Sequence, residues 1–290
     1  MSSTIHFFRN RSLERIDYEK LICYFDELDN CKIYYNDDSV EMICTDQNFD
    51  FPYHFLITKR SRVTSIYTLS PNFYNINLLV EIPILLPEVV SRNILVFVMK
   101  LCQMFELEVY YHNGSNGVSD IEPFNMANLM TYIAKERNIY LETHPDIDVY
   151  YYDRDKLVEI CNYQQMIPYL STKVNADAIA NPYIVLLDTE TNEVKLSISY
   201  RVDTPMFFPP NLDYVHVEED DFITIVPANL FMKYNERYMY EPRNFIDKVR
   251  VLLLNGRGIR KVKANMRKLR KENVASSRFK EIRIIDLIEK

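Results

Sequence analysis

Read from the amino end, the chain alternates between short runs of period two and longer runs of helical period. Ile5 to Phe8 predicts a strand. Asp17 to Leu28 predicts an amphipathic helix whose inner stripe is Leu21, Ile22, Phe25 and Leu28. Cys31–Tyr35, Val40–Thr45 and Phe51–Thr58 then predict three strands, with Asn36-Asp37-Asp38-Ser39 as the hairpin turn between the first two. Asn75 to Leu86 is apolar and expected to be buried. A helix over Val89–Phe105, a strand over Leu107–Tyr111, an exposed loop over Asn113–Gly117 and a helix over Phe124–Lys135 follow. Glu142-Thr143-His144-Pro145-Asp146 breaks the pattern and is the expected domain boundary, giving modules 1–143 and 144–290.

The second half continues in the same style. Val149–Tyr152 predicts a strand and Arg154–Leu170 a helix that Pro168 would disturb. The clearest hairpin joins Tyr183–Asp188 to Val194–Tyr200 through Thr189-Glu190-Thr191-Asn192-Glu193. Met206–Pro210 reads as extended. Tyr214–Val217 and Phe222–Val226 read as strands on either side of Glu218-Glu219-Asp220-Asp221, and Ala228–Asn235 as a helix. Val249 to Leu254 predicts a strand, Asn255-Gly256-Arg257-Gly258 a turn, the basic stretch to Lys271 a helix, and Phe279–Ile285 a last strand. Strands and helices mixed in both halves predict an α+β fold: two modules of mixed, mainly antiparallel sheets covered by helices.

Charge singles out the closing stretch. Residues 257–283 hold eleven Lys or Arg against Glu272 and Glu281, a net of +9, so the rest of the chain carries −16 behind the overall −7. Between Gly258 and Glu272 the apolar residues are Ile259, Val262, Met266 and Leu269. Steps of three, four and three put them on one stripe of a helix. Arg260, Lys261, Lys263, Arg267, Lys268, Arg270 and Lys271 occupy the other faces. Two readings follow from that pattern. One is a solvated surface helix whose charge is balanced by the acidic remainder. The other is an electrostatic footprint for a phosphate-rich partner, RNA or DNA backbone first. A membrane-surface helix is disfavoured, because the stripe lacks Trp, Phe or several Leu.

Glycine adds one candidate. The chain has only 4 Gly, in the pairs Gly114/Gly117 and Gly256/Gly258. A glycine between a strand and a helix permits positive φ and lets backbone N–H groups approach an anion. Position 261, where a dinucleotide fingerprint needs a third glycine, is Lys261. The candidate anion-binding set is therefore Gly256, Arg257, Gly258, Arg260, Lys261, Lys263, Arg267, Lys268, Arg270 and Lys271.

Other chemistry finds little footing. No two of His6, His54, His112, His144 and His216 have helical ligand spacing, and His144-Pro145-Asp146-Ile147-Asp148 reads as a loop entering a strand. His216 alternates with Tyr214 and Glu218 on one strand face, as an exposed sheet face or a polar pocket wall. There is no G-x-S-x-G elbow and no P-loop. Five Cys (23, 31, 44, 102, 161) without CxxC spacing read as reduced, mostly buried thiols of a cytoplasmic protein. No apolar run reaches the length of a signal peptide or a membrane helix, so no membrane partner is expected. The sequence thus points to an intracellular binding protein without catalytic activity, metal or cofactor, contacting an anionic partner through its basic helix. The alternatives are a protein-interaction or self-assembling homo-oligomeric protein whose acidic body and basic tail engage other chains, and an enzyme acting on a phosphorylated small molecule at Gly256–Gly258.

Overall fold

The structure, a computed structural model, describes residues 2–61, 63–111, 120–173, 178–219, 222–242, 248–253 and 256–290. The chain divides into two compact units, Met1–Asp148 and Val149–Lys290. Both mix helices with mainly antiparallel sheets, an α+β fold.

The first unit runs β1 (Ser2–Asn10), α1 (Tyr18–Asp26), β2 (Cys31–Tyr35), β3 (Ser39–Asp46), β4 (Phe51–Thr58), β5 (Phe73–Pro83), α2 (Glu88–Phe105), β6 (Leu107–Tyr111) and α3 (Met126–Thr143). Its strands form one antiparallel sheet in the order β2-β3-β4-β5-β1-β6. The apolar stretch after Asn75, left without an element above, is β5. It pairs with both β1 and β4, and Ile76, Leu78, Val80 and Ile82 are fully buried along it. The opposite face is less covered: Asn77 and Leu79 are partly exposed and Glu81 is exposed. Asp17 starts α1 by accepting from the backbone N–H groups of Glu19 and Lys20 (3.0 and 3.2 Å), which satisfies two donors that a helix start leaves open. Leu21 and Phe25 face inward, and Phe25 meets Phe55 of β4 at 5.1 Å and Phe97 of α2 at 5.8 Å. Helix α3 extends eight residues beyond the predicted end at Lys135. Its buried Arg137 donates to the carbonyls of Ile84 and Leu86, fixing the bend after β5.

Cys31 and Cys44 correct the expectation of five thiols. Hairpin register sets them directly opposite on β2 and β3, with Cα atoms 4.0 Å apart, and they are joined as a disulfide. Their separation of thirteen residues carried no signal, because only the strand register makes them neighbours. Cys23, Cys102 and Cys161 lie outside this disulfide, the first exposed and the other two buried.

The second unit runs β7 (Tyr150–Tyr152), α4 (Arg154–Lys173), β8 (Ile179–Ala180), β9 (Tyr183–Asp188), β10 (Glu193–Arg201), β11 (Met206–Phe208), β12 (Tyr214–Glu219), β13 (Phe222–Pro227), α5 (Ala228–Asn235), β14 (Met239–Tyr240), β15 (Arg250–Leu252), α6 (Gly256–Leu269), β16 (Phe279–Ile282) and β17 (Leu287–Glu289). A five-stranded sheet has the order β13-β12-β10-β9-β16, a four-stranded one β14-β15-β11-β8, and β17 pairs with β7. The β9–β10 hairpin forms as predicted, with Asn192 at φ 57° in its turn. Parallel pairings of β10 with β12, β11 with β8 and β17 with β7 interrupt the antiparallel pattern. The predicted strand Phe279–Ile285 is divided. Only Phe279–Ile282 adds to β9, and after a 3₁₀ turn the chain passes to β17. Helix α4 runs through Pro168.

A core shared by the two larger sheets and two helices gathers Ile198, Tyr200, Met206, Phe208, Val215, Val217, Val226, Phe231 and Leu252. The stripe of α6 closes it: Val262, Met266 and Leu269 are buried in that cluster. At about 25 cal/mol per Å² of apolar surface, this burial decides which face of α6 points in. The charged residues are therefore left outside.

Candidate nucleic-acid interface

Helix α6 is fixed on its platform by more than its stripe. The Asn265 side chain donates to the Tyr234 carbonyl (2.7 Å) and to Asn235 Oδ1 (3.2 Å), meeting the carboxyl end of α5. Beyond the helix, Asn273 Oδ1 accepts from Ile225 N (2.9 Å) and Val274 N donates to Ile225 O (2.9 Å). That covers the open edge of β13. Rotation of the helix is thereby excluded, and the outward face is defined.

The helix begins at Gly256, so the expected left-handed glycine turn is replaced by the first helical turn. Gly256, Arg257 and Gly258 lie in that turn, and neither glycine has positive φ. Asn255, the first residue of the predicted turn, and Leu254 lie outside the described residues, as do the loop expected over Asn113–Gly117 and the acids Asp220 and Asp221.

The cations of the segment take different positions. Arg260, Lys261, Arg267, Lys268 and Lys271 are exposed and make no ion pair among the described residues. Lys263 on α6 and Arg270, which opens the 3₁₀ turn Arg270–Glu272 after it, are matched. Lys263 Nζ lies 2.6 Å from Asp203 Oδ2, and Arg270 pairs with Glu219. Asp203 reaches Lys263 from a left-handed turn (φ 80°) just beyond β10, a position that Asp tolerates better than most residues. Glu219 comes from the acidic end of β12, so part of the acidic run does face the basic helix. Arg278 has yet another setting. It forms a two-pronged pair with Asp188, whose side chain is fully covered, and also reaches Glu190 at 3.3 Å. That guanidinium holds the Asp188 carboxyl down at about 2.

Along the matched flank opens a cavity of about 250 Å³, lined by Arg201, Asp203, Glu218, Glu219, Phe222, Lys263, Arg267 and Arg270. The guanidinium of Arg270 lies over the Phe222 ring, 4.5 Å from its centroid, and the ring is 46% exposed. Ser199 donates to Glu218. Arg201 is exposed and makes no ion pair among the described residues. Sequence reading missed Arg201, Asp203 and Phe222 as members of this region. Each sits at a strand end with nothing local to mark it, and only the packing of α6 beside β10 and β13 brings them together.

Elsewhere the chemistry is sparse. His216 is half-buried on β12, and burial lowers its pKa. His144 stacks on Tyr140 with ring centroids 4.2 Å apart. Among the described residues no group of three or more His, Cys, Asp or Glu could hold a metal ion, and no helix is long and apolar enough to cross a membrane. No protein-family model, no curated protein and no solved structure matches this chain, so its function has to be argued from the open and matched faces of α6 themselves.

Proposed function

We propose that the protein binds an anionic polymer, nucleic acid backbone, through the outward face of α6, acting as a binding protein and not as a catalyst. The single observation behind this reading is the group of five exposed cations, Arg260, Lys261, Arg267 and Lys268 on α6 and Lys271 in the 3₁₀ turn that follows it, without carboxylate partners among the described residues, on a helix otherwise pinned to its core. A chain with a net charge of −7 has acids enough to neutralise this face, yet Asp203 and Glu219 pair with Lys263 and Arg270 instead. Contacts of this kind neutralise phosphates without reading bases. The reading goes with a cytoplasmic location.

The test is fluorescence anisotropy against labelled oligonucleotides over a range of salt. With all five cations engaged, log K should fall against log salt with a slope of about −4.5 for duplex and about −3.5 for single strands. No binding at low salt, or binding indifferent to salt, would remove the proposal. Light scattering on the same samples addresses the competing view. A salt-sensitive oligomer that ignores oligonucleotides would favour self-assembly instead.

A further inference from the structure

The cavity on the matched flank deepens that reading, and the inference rests on it. We propose that this cavity receives one unstacked base of a single-stranded nucleic acid while the adjoining phosphates lie along the open face of α6.

The cavity offers both kinds of partner that a base edge needs. Of the four lining cations, Lys263 and Arg270 are paired with Asp203 and Glu219, while Arg201 and Arg267 make no ion pair among the described residues. The three carboxylates of Asp203, Glu218 and Glu219 stand among them. These carboxylates can accept from an exocyclic amino group, as Glu and Asp do from cytosine, and the guanidinium groups can donate to ring nitrogens and carbonyls. Outside the cavity the exposed cations have no carboxylate partner among the described residues.

The wall supplies the other half of base recognition. Phe222 presents a half-exposed ring held in place by the Arg270 guanidinium, and rings and guanidinium planes are the surfaces on which splayed bases stack. Arg267 belongs to both regions: it lines the cavity and stands on the open face. That is where the phosphate of a buried base would lie. A volume of about 250 Å³ falls just under the range of about 300–1,000 Å³ typical of small-molecule pockets, so the occupant has to be small. In a duplex the bases are stacked and paired, and extruding one costs a few kcal/mol. The cavity therefore favours single strands, and among them those whose bases carry amino groups.

The experiment uses the whole chain and four labelled probes of equal length: oligo(C), oligo(A), oligo(U) and a duplex. Wild type should hold oligo(C) and oligo(A) more tightly than oligo(U) at one salt concentration. Phe222→Ala should weaken oligo(C) binding about tenfold and leave the duplex within about twofold, while Phe222→Tyr should retain wild-type binding. A melting curve for each variant guards against a folding effect, which an exposed ring makes small. If duplex and single strands bind with steep salt dependence and Phe222→Ala weakens them equally or not at all, this proposal falls and the backbone reading survives. If neither binds, both fall.

Discussion

Arg267 and Arg270 stand three residues apart on the same basic segment, and their surroundings differ. Arg267 has no carboxylate partner among the described residues, whereas Arg270 is held by Glu219 and lies over Phe222. The same contrast separates the outward face of α6 from the flank it turns toward β12 and β13. Residue type is equal on both, since both are lysine and arginine. The difference lies in which distant acids the fold delivers. Arg278 extends the comparison to a third setting, a covered carboxylate gripped by two parallel bonds. A net charge of +9 over residues 257–283 therefore overstates what is available to a partner.

The strongest way to break the comparison is to invert one side of it. Arg260, Lys261, Arg267 and Lys268 all changed to Glu should lower oligonucleotide affinity by about a hundredfold or more, since four phosphate contacts become four repulsions. The melting temperature should hardly move, because these side chains support no packing. Anisotropy and a thermal melt on the same preparation check both halves of the statement.

Removing the platform comes next. Met266→Ala leaves a cavity behind a fully packed residue and should cost about 2–5 kcal/mol of stability, read by urea unfolding. Binding per folded molecule should be less affected than after charge inversion, because the outward residues are untouched. A loss below about 1 kcal/mol would mean that α6 is not held by its stripe.

A smaller effect is expected from opening the closed flank. Asp203→Asn with Glu219→Gln would free Lys263 and Arg270, and affinity for a duplex should rise about three- to tenfold as the salt slope steepens by up to about 2. Stability should change little, since exposed ion pairs are worth about 0–1 kcal/mol. Unchanged duplex affinity would show that the flank lies beyond the reach of a bound backbone.

The third setting, Asp188 with Arg278, is tested by pH. The folded pKa of Asp188, about 2, lies below its ordinary value of 3.8, so the unfolded chain binds the proton first. The stabilisation it gives is complete above pH about 4 and is lost as pH falls through about 2. Arg278→Met should remove that part of the acid dependence, measurable as a flatter stability profile over this window. His6, buried on β1, adds a window of its own in the first unit. Burial lowers its pKa from 6.5 to about 4, so stability should decline as pH falls from 6.5 toward 4.

Much of this was readable from local pattern. The steps Ile259, Val262, Met266 and Leu269 identified the inward face of α6, because burial of a helical stripe depends only on spacing. The β9–β10 hairpin and α1 were legible for the same reason: their defining contacts lie within a few residues. The apolar stretch that became β5 was expected to be buried but received no element: its burial alternates with period two, while Leu79 on the less covered face keeps the apolar pattern from alternating cleanly. The disulfide between Cys31 and Cys44 was missed, because register makes it and spacing does not.

By itself the sequence determined an α+β chain with a basic amphipathic helix near its carboxyl end, and which residues of that helix turn outward. Only the tertiary structure decided which of those cations stay unmatched and which are matched. Asp203 lies sixty residues from Lys263, and Glu219 fifty-one from Arg270. Helical periodicity is a property of neighbours along the chain. An ion pair across such distances depends on where whole strands come to rest, and that is settled by packing the core.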